Sequence, residues 1–561
     1  MSITDHAALD ALCDACGIAN GYYDISGSLH QPGIEVKRKL LEALDYPVSS
    51  DADIGRHLET LRSREWRRII ASVMVFRQSG SSLWLRLSLT PAQCAAPVRW
   101  ELLEEGGRSR QGSWELQADH ASGEYWLDEV PVKRFDVELT DVSDIGYHQL
   151  EIKTVDGAAA TSCLILAPGA CYEPPAFEHQ QKSWGVSLQL YSLRSERNWG
   201  IGDFGDLRSA VEILAPMGVD VIGLNPLHAL FAHQPEKASP YSPSSRDHLN
   251  PVYLDIETIE DYGECPEAQA LVTSEGFQAN LRSLREEELV NYSGVWAAKL
   301  QVLGMLYQSF RHEHLDSGSE RAEAFRQFQH DGAEDLFRFA LFEALQQYFH
   351  AADSNCDRWQ QWPLDYQSPD SGLTIEWAER NVAAIEFHQY LQWNADRQLA
   401  EVDDCCRRSG MNIGIYRDLA IGDEKSAAQC WAEPELYAPG MSIGAPPDDF
   451  SSSGQNWGLP PLKPPTVNAH FYQQFARTLR ANMRHAGALR IDHIMGLMRL
   501  YWMPRDCSPD PGSYVAYPLQ DLLGITALES QRNRCLVVGE DLGTVPDEVR
   551  YALEPNKILS Y

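Results

Sequence analysis

The chain has 561 residues, 44% hydrophobic and 23% charged, an ordinary balance for a globular protein with a large core. Its formal net charge of −33 argues against nucleic acid or an anionic membrane as partner and suits a neutral substrate. No apolar run approaches the ~20 residues of a membrane span, and Met1-Ser-Ile-Thr-Asp-His6 lacks the basic and apolar regions of a signal peptide.

Residues 1–68 read as a helical segment, with apolar periodicity over His6–Gly17, Val36–Leu44 and Asp53–Arg64. Twelve cysteines are scattered along the chain. Cys13-Asp-Ala-Cys16 has no second pair or histidine at zinc spacing, so it reads as two thiols on a helix, and no metal is expected. A reducing cytoplasm is the expected location.

From 69 to 167 the texture changes to short β-rich runs: Ile69–Phe76, Leu83–Leu89, Val98–Leu103, Tyr125–Leu127, Phe135–Leu139, Gly146–Ile152 and Ser162–Leu166. Turn signals such as Glu105-Gly106-Gly107 separate them, which predicts an antiparallel sandwich of immunoglobulin-like or carbohydrate-binding type. Trp84, Trp100, Trp114 and Trp126 fit either a core or sugar-stacking platforms. Residues 168–183, with Pro168, Pro174 and Pro175, read as a linker.

From 184 to 561 strand and helix patterns alternate. Val186–Leu190, helix Asp203–Met217 and Asp220–Leu224 form a βαβ unit, which implies parallel strands. About 251–369 reads as a helical insertion. Helix Trp377–Arg408 then leads to strand Asn412–Tyr416, and Phe471–Met483 and Leu519–Ala527 are predicted helices before two further strands. Ser442–Pro461 has too much Gly and Pro for a regular element and reads as a loop over a site. Five barrel-type strands are counted, near 188, 222, 414, 490 and 537, with a possible start of a sixth at 557–561. The fold class expected is α/β: a (β/α)8 TIM-type barrel with helical insertions, incomplete at its C-terminus.

Two of these strands end in carboxylates. Arg490 and Asp492 share a strand face, and Glu540 ends the apolar run Cys535-Leu-Val-Val-Gly539. Paired carboxylates are what cleavage of a glycosidic bond requires. Asp492 suits the nucleophile, since Arg490 would lower its pKa; Glu540 suits the acid/base, since its apolar run would raise its own. Strand-end acids also make structural ion pairs, so the pattern alone leaves both readings open.

Eight motifs narrow the reading: Arg-Asn-Trp-Gly-Ile-Gly-Asp-Phe-Gly (197–205), Gly-Leu-Asn-Pro-Leu-His-Ala (223–229), Ser-Pro-Tyr-Ser-Pro-Ser-Ser-Arg (239–246), Tyr-Arg-Asp-Leu-Ala (416–420), Gly-Ala-Pro-Pro-Asp (444–448), Gly-Gln-Asn-Trp-Gly (454–458), Arg-Ile-Asp-His (490–493) and Gly-Glu-Asp-Leu-Gly (539–543). In this order they resemble the 4-α-glucanotransferases (amylomaltases) of glycoside hydrolase family 77, and the part before residue 184 is similar to the extension of the longer bacterial members. The resemblance implies Asp492 as nucleophile and Glu540 as acid/base, with retention of configuration and transfer to another glucan's 4-hydroxyl. It implies no cofactor and, as partners, only α-1,4-glucans such as maltodextrins. Arg490 and His493 would bracket the sugar at the cleavage point. Tyr241, Asp448, Gln455, Asn456 and Trp457 would line the glucan groove. Asp418 is open between a substrate contact and a pair with Arg417 or a neighbour; His228 is open between a core and a site role.

The family's third carboxylate, in a Thr-His-Asp-like motif, does not follow Glu540 in the 21 residues that remain. The sequence is therefore expected to be truncated, and the chain alone to be poorly soluble or inactive. Two alternatives are an α-amylase-like hydrolase and a non-catalytic glucan-binding protein. The oligomeric state is not legible in the sequence.

Overall fold

The computed structural model describes residues 3–24, 27–80, 82–178, 182–447, 451, 454–465, 470–505, 512–543 and 545–561. The site is carried by a six-stranded sheet, all parallel and in chain order: β1 (Gly185–Leu188), β2 (Val221–Leu224), β3 (Gly414–Leu419), β4 (Ala488–Ile491), β5 (Leu536–Gly539) and β6 (Leu559–Ser560). All five strand positions expected from the sequence are found, and Leu559–Ser560 adds the sixth by pairing with Val538–Gly539. Buried Ile222, Leu489 and Val537 show why the runs read as nearly unbroken apolar segments.

Helices precede successive strands. Phe204–Leu214 starts at a capping box, in which Asp203 and Asp206 each accept from the other's backbone N–H. Val382–Arg408 leads to β3, Phe471–Met483 to β4, Leu519–Asn533 to β5 and Asp547–Leu553 to β6. The expected helix from Trp377 is two helices, Gly372–Arg380 and Val382–Arg408, parted at Asn381, whose backbone leaves helical geometry. Between β2 and β3 lies the helical insertion, centred on Tyr292–Phe310 and Glu320–Ala352.

A four-stranded antiparallel sheet was missed in the sequence. It runs Gln455–Asn456, Met441–Ala445, Arg499–Pro504, Ser513–Ala516. Its second strand falls inside the stretch judged too rich in Gly and Pro. Gly444 makes the strand possible: a Cβ there would stand 2.0 Å from the Gln455 carbonyl oxygen, so the glycine permits the pairing.

Before the parallel sheet, two other sheets face each other. One has five strands (Val73–Arg77, Ala159–Ala167, Gly146–Lys153, Val98–Leu103, Ser109–Trp114) and the other three (Ser82–Leu89, Val130–Thr140, Gly123–Leu127). Leu85, Leu87, Phe135, Val137, Leu150 and Leu164 fill the space between them. Two expectations need correction. Ser109–Trp114, polar except for Gly112 and Trp114, is an additional strand, and Val73–Arg77 pairs parallel rather than antiparallel with Ala159–Ala167. Trp100 and Trp114 pack together at 5.7 Å beside this core, whereas Trp84 and Trp126 are 64% and 63% exposed.

The N-terminal helices are His6–Ala15, Ile34–Ala43 and Asp51–Ser63. Cys13 and Cys16 are buried and burial pushes both thiols up to about 12, which fits inert packing groups. The segment after the first helix extends the antiparallel sheet: Ile18 bridges Val515, and Ala19 N donates to the Tyr514 carbonyl at 2.9 Å. Among the described residues no helix is long and apolar enough to cross a membrane.

A buried ion pair ties the loop after β2 to the loop after β3. Asp423 accepts from Arg246 N at 2.9 Å and Nε at 3.0 Å, and from the Tyr437 hydroxyl at 2.9 Å. Removing only the guanidinium strands a buried carboxylate. Arg246→Met is therefore expected to destabilise the fold by about 3–5 kcal/mol, read as a lower urea midpoint; an unchanged midpoint refutes the role given to this pair.

Candidate active site

The parallel register sets the site. Asp418 on β3 lies opposite Arg490 on β4, and Ile491 lies opposite Gly539 on β5. Asp492 and Glu540 therefore occupy the next position on adjacent strands. Asp492 N donates to the Leu419 carbonyl at 3.1 Å and Glu540 N to the Ile491 carbonyl at 3.0 Å, so both carboxylates are anchored by continuations of the ladder.

Arg490 sits at the centre. Its Nη1 donates to Asp418 Oδ1 at 2.6 Å, its Nη2 pairs with Asp492 Oδ1 at 2.7 Å and its Nε donates to the Tyr561 hydroxyl at 2.6 Å. The other Asp418 oxygen accepts from the Tyr241 hydroxyl at 2.6 Å. Asp418 thus pairs with a neighbour, and that neighbour is Arg490. Arg417 points to the opposite face and caps the helix Phe471–Met483 through the Ala481 and Arg484 carbonyls.

Electrostatics correct one expectation. Burial raises the Asp492 carboxyl above the usual carboxylate range; Arg490 pulls it back down and Glu540 adds to the rise. The guanidinium acts in the expected direction, but desolvation outweighs it. Asp418 is raised for the same reason, against Arg490 and Tyr241. Arg490 itself is held firmly protonated by its two carboxylates, against the effect of burial.

Glu540 is fixed by a tight turn. His493 has φ 51° and ψ 61°, a left-handed conformation uncommon outside glycine. This turn aims two successive N–H groups at one residue: His493 N donates to Glu540 Oε2 at 2.9 Å and Ile494 N to the Glu540 carbonyl at 2.9 Å. Glu540 Oε1 accepts from Leu542 N at 2.8 Å. The residue after Asp492 thus sets the position of the Glu540 carboxylate.

The loop over the site places Trp457 edge-on to His493, with centroids 5.2 Å apart. A cleft of about 350 Å³ is lined by Trp457, Gln455, His493 and Glu540, and also by Met495 and Tyr514, which the sequence reading did not name. Tyr514 was detectable only as one aromatic in a four-residue strand. Asp492 does not line this cleft; with His493 it borders a mainly apolar cavity of about 90 Å³. The expected residues therefore form two groups that meet at Asp492-His493: Tyr241, Asp418 and Arg490 on one side, and Trp457, Gln455 and Glu540 on the other. Asp448 lies outside the described residues.

Other motif residues serve the scaffold. Arg197 pairs with Asp203, Asp206 and Asp255, and Trp199 is 3% exposed. His228 is buried, with Nε2 accepting from Ala420 N at 3.1 Å, so it supports the loop after β3. Asp261, Glu264 and His314 have ligand atoms within 4.8 Å of one another, but Arg321 lies among them, donating to Asp261 at 2.7 Å. A guanidinium there takes the place a cation would need.

The 4-alpha-glucanotransferase family model of glycoside hydrolase family 77 matches residues 188–561, and a MalQ N-terminal beta sandwich domain matches residues 69–168. The chain belongs to glycoside hydrolase family 77. The 4-alpha-glucanotransferase of Haemophilus influenzae is 36% identical over the whole chain and 75% of its own length. That of Mycobacterium bovis is 32% identical over 95% of this chain and 72% of its own. The amylomaltase of Corynebacterium glutamicum superposes with a TM-score of 0.85 at 29% identity, over 99% of this chain and 75% of that one. An amylomaltase from Streptococcus agalactiae in complex with acarbose shares the fold at TM-score 0.54 and 20% identity, over 67% of this chain and 72% of that one. This family 77 member is a 4-alpha-glucanotransferase of maltodextrin metabolism, acting on α-1,4-glucans.

Asn456 holds the loop rather than pointing its acceptor outward. Its Oδ1 accepts from the Ser442 hydroxyl at 2.5 Å and from Gly458 N at 2.9 Å. Asn456→Ala should cost the loop about 1–3 kcal/mol of local stability. Amide exchange over 454–462 should then speed up about 5- to 150-fold, with exchange in β4 and β5 unchanged.

Proposed function

We propose that Asp492 is the nucleophile and Glu540 the general acid/base of a retaining double displacement. Asp492 attacks the anomeric carbon of the glucosyl unit as Glu540 donates a proton to the departing 4-oxygen, which leaves a glucosyl ester on Asp492. Glu540, now a carboxylate, takes the proton from the 4-hydroxyl of an incoming glucan as that oxygen displaces Asp492. The observation that carries this reading is the placement of the two acids at matching ends of adjacent strands. Neighbouring strands lie about 4.8 Å apart, close to the roughly 5–5.5 Å of retaining pairs.

The other residues take roles from their positions. Arg490 balances Asp492 and Asp418 and keeps the nucleophile ionised against its burial. His493 and Arg490 bracket the reacting sugar. Trp457 and Tyr241 offer flat faces to the glucan, with Asp418 and Gln455 as hydrogen-bonding groups along the groove and Asn456 acting through the loop it holds; the resemblance alone assigns Asp448 to the groove. The acarbose complex of the Streptococcus agalactiae enzyme supports an oligosaccharide-like ligand for this fold.

The same proposal reads the six-stranded sheet as part of a (β/α)8 barrel, whose closure takes eight strands. It divides the chain at 1–68, 69–167, 168–183 and 184–561, with the insertion near 251–369. It places the protein in the cytoplasm, since the eleven described cysteines are all free thiols.

A complete family 77 barrel is expected to convert maltotriose to glucose and a ladder of longer glucans, whereas this chain alone, whose described parallel sheet has six strands, is expected to show little activity. Asp492→Asn should lower kcat on the order of 10³-fold or more. Glu540→Gln should impair maltotriose cleavage far more than release of a glucoside leaving group that needs no proton. Near-normal maltotriose turnover in either variant rules out its assignment. A pH series tests Arg490 separately. Removing its positive charge raises the Asp492 pKa, so in Arg490→Met the acidic limb of kcat/KM should move up by about 1–3 pH units. An unmoved limb shows that Arg490 does not control the nucleophile.

A further inference from the structure

The antiparallel sheet beside the catalytic cleft has a second exposed hollow. Arg499 lies directly opposite Ala516, and Tyr501 opposite Tyr514, so these four share one sheet face. Their neighbours Leu500, Trp502 and Val515 are buried on the other face. The N-terminal segment covers the tyrosine half of the face. Tyr22 packs edge-on against Tyr501 and Tyr514, each at 5.5 Å, and its hydroxyl lies 3.0 Å from that of Tyr501. The Arg499–Ala516 half stays open, as a cleft of about 710 Å³ walled by Gly17–Ala19 on one side and Leu519–Asp521 on the other. That volume is ample for a ligand of two or three sugar units, by the roughly 300–1,000 Å³ typical of ligand pockets.

The lining has the chemistry of a sugar site. Arg499 makes no ion pair among the described residues; its guanidinium lies over the Tyr514 ring at 4.2 Å, and its Nε is buried with no hydrogen-bond acceptor. Arg499 offers donors, Asp14, Asp521 and Gln520 offer acceptors, and Met498 and Leu519 supply an apolar surface. Two flanking carboxylates and a chain charge of −33 disfavour an anionic ligand and favour a neutral polyol. We infer that this cleft, formed between the N-terminal segment and the antiparallel sheet, is a second α-glucan-binding site, separate from the catalytic cleft. Tyr514 lines both clefts and forms the wall between them. The inference takes its ligand class from the chain's action on α-1,4-glucans and does not depend on which residues are catalytic.

The test is calorimetric titration with maltotriose in the Asp492→Asn background of the whole chain. Two maltotriose molecules per chain are expected. Ala516→Trp, which fills the hollow from an exposed position, should abolish one of them and leave the other. Arg499→Ala should weaken that same one at least tenfold. A single maltotriose per chain, or two that survive Ala516→Trp unchanged, overturns the inference. So does displacement of the second maltotriose by inorganic phosphate, which would make Arg499 an anion site. Ala516→Trp removes no packing, so it decides the matter even where Arg499→Ala fails to fold. Failure of the catalytic assignment shows separately, as glucose released during the titration.

Discussion

One guanidinium sustains the floor of the site. Asp418 and Asp492 are both desolvated, and two carboxylates so placed would normally share a proton or disrupt the fold. Arg490 reaches both with separate nitrogens while a third nitrogen contacts Tyr561. A planar fork with fixed donor directions can do this; an ammonium cannot hold two acids and a hydroxyl in the same fixed plane. The strand register follows from the same requirement, since Asp418 faces Arg490 only in the pairing observed, and a slip of one residue would send Arg490 to the face that Arg417 occupies.

The Glu540 carboxylate is placed by backbone rather than by side chains. Strain at His493 turns two consecutive N–H groups toward Glu540, and such backbone geometry persists only where the surroundings hold it. Those surroundings are the antiparallel sheet that leaves β4 immediately afterwards. Arg499–Pro504 pairs with Met441–Ala445, which pairs with Gln455–Asn456, the short strand that leads into Trp457. Asp492, Glu540 and Trp457 are thus parts of one hydrogen-bonded surface.

Much of this was legible in the sequence because it depends on local pattern. The parallel strands are short apolar runs ending in charged residues, and the ordered motifs place Asp492 and Glu540 without any knowledge of packing. What stayed hidden depends on distant partners. Met441–Ala445 becomes a strand through residues some sixty positions away, and Gly444 looks like a breaker until the Gln455 carbonyl is seen beside it. Ser109–Trp114 carries no apolar alternation because it is an edge strand held by Val98–Leu103 alone. The net rise in the Asp492 pKa was misjudged because sequence shows a neighbouring arginine but not the depth of burial around the pair.

The docking of the N-terminal segment has a consequence for how the protein is made. Ser513 Oγ donates to the Ala19 carbonyl across a separation of 494 residues. Translation at about 5–20 residues per second puts roughly 25–100 s between the appearance of the first partner and the second. Throughout that interval Tyr22 and the helix Ile34–Ala43, which packs against Arg499–Pro504, have no completed sheet to rest on. The earliest residues off the ribosome are thus among the last to reach their final contacts, and the nascent chain presents an apolar helix to chaperones until the antiparallel sheet is complete.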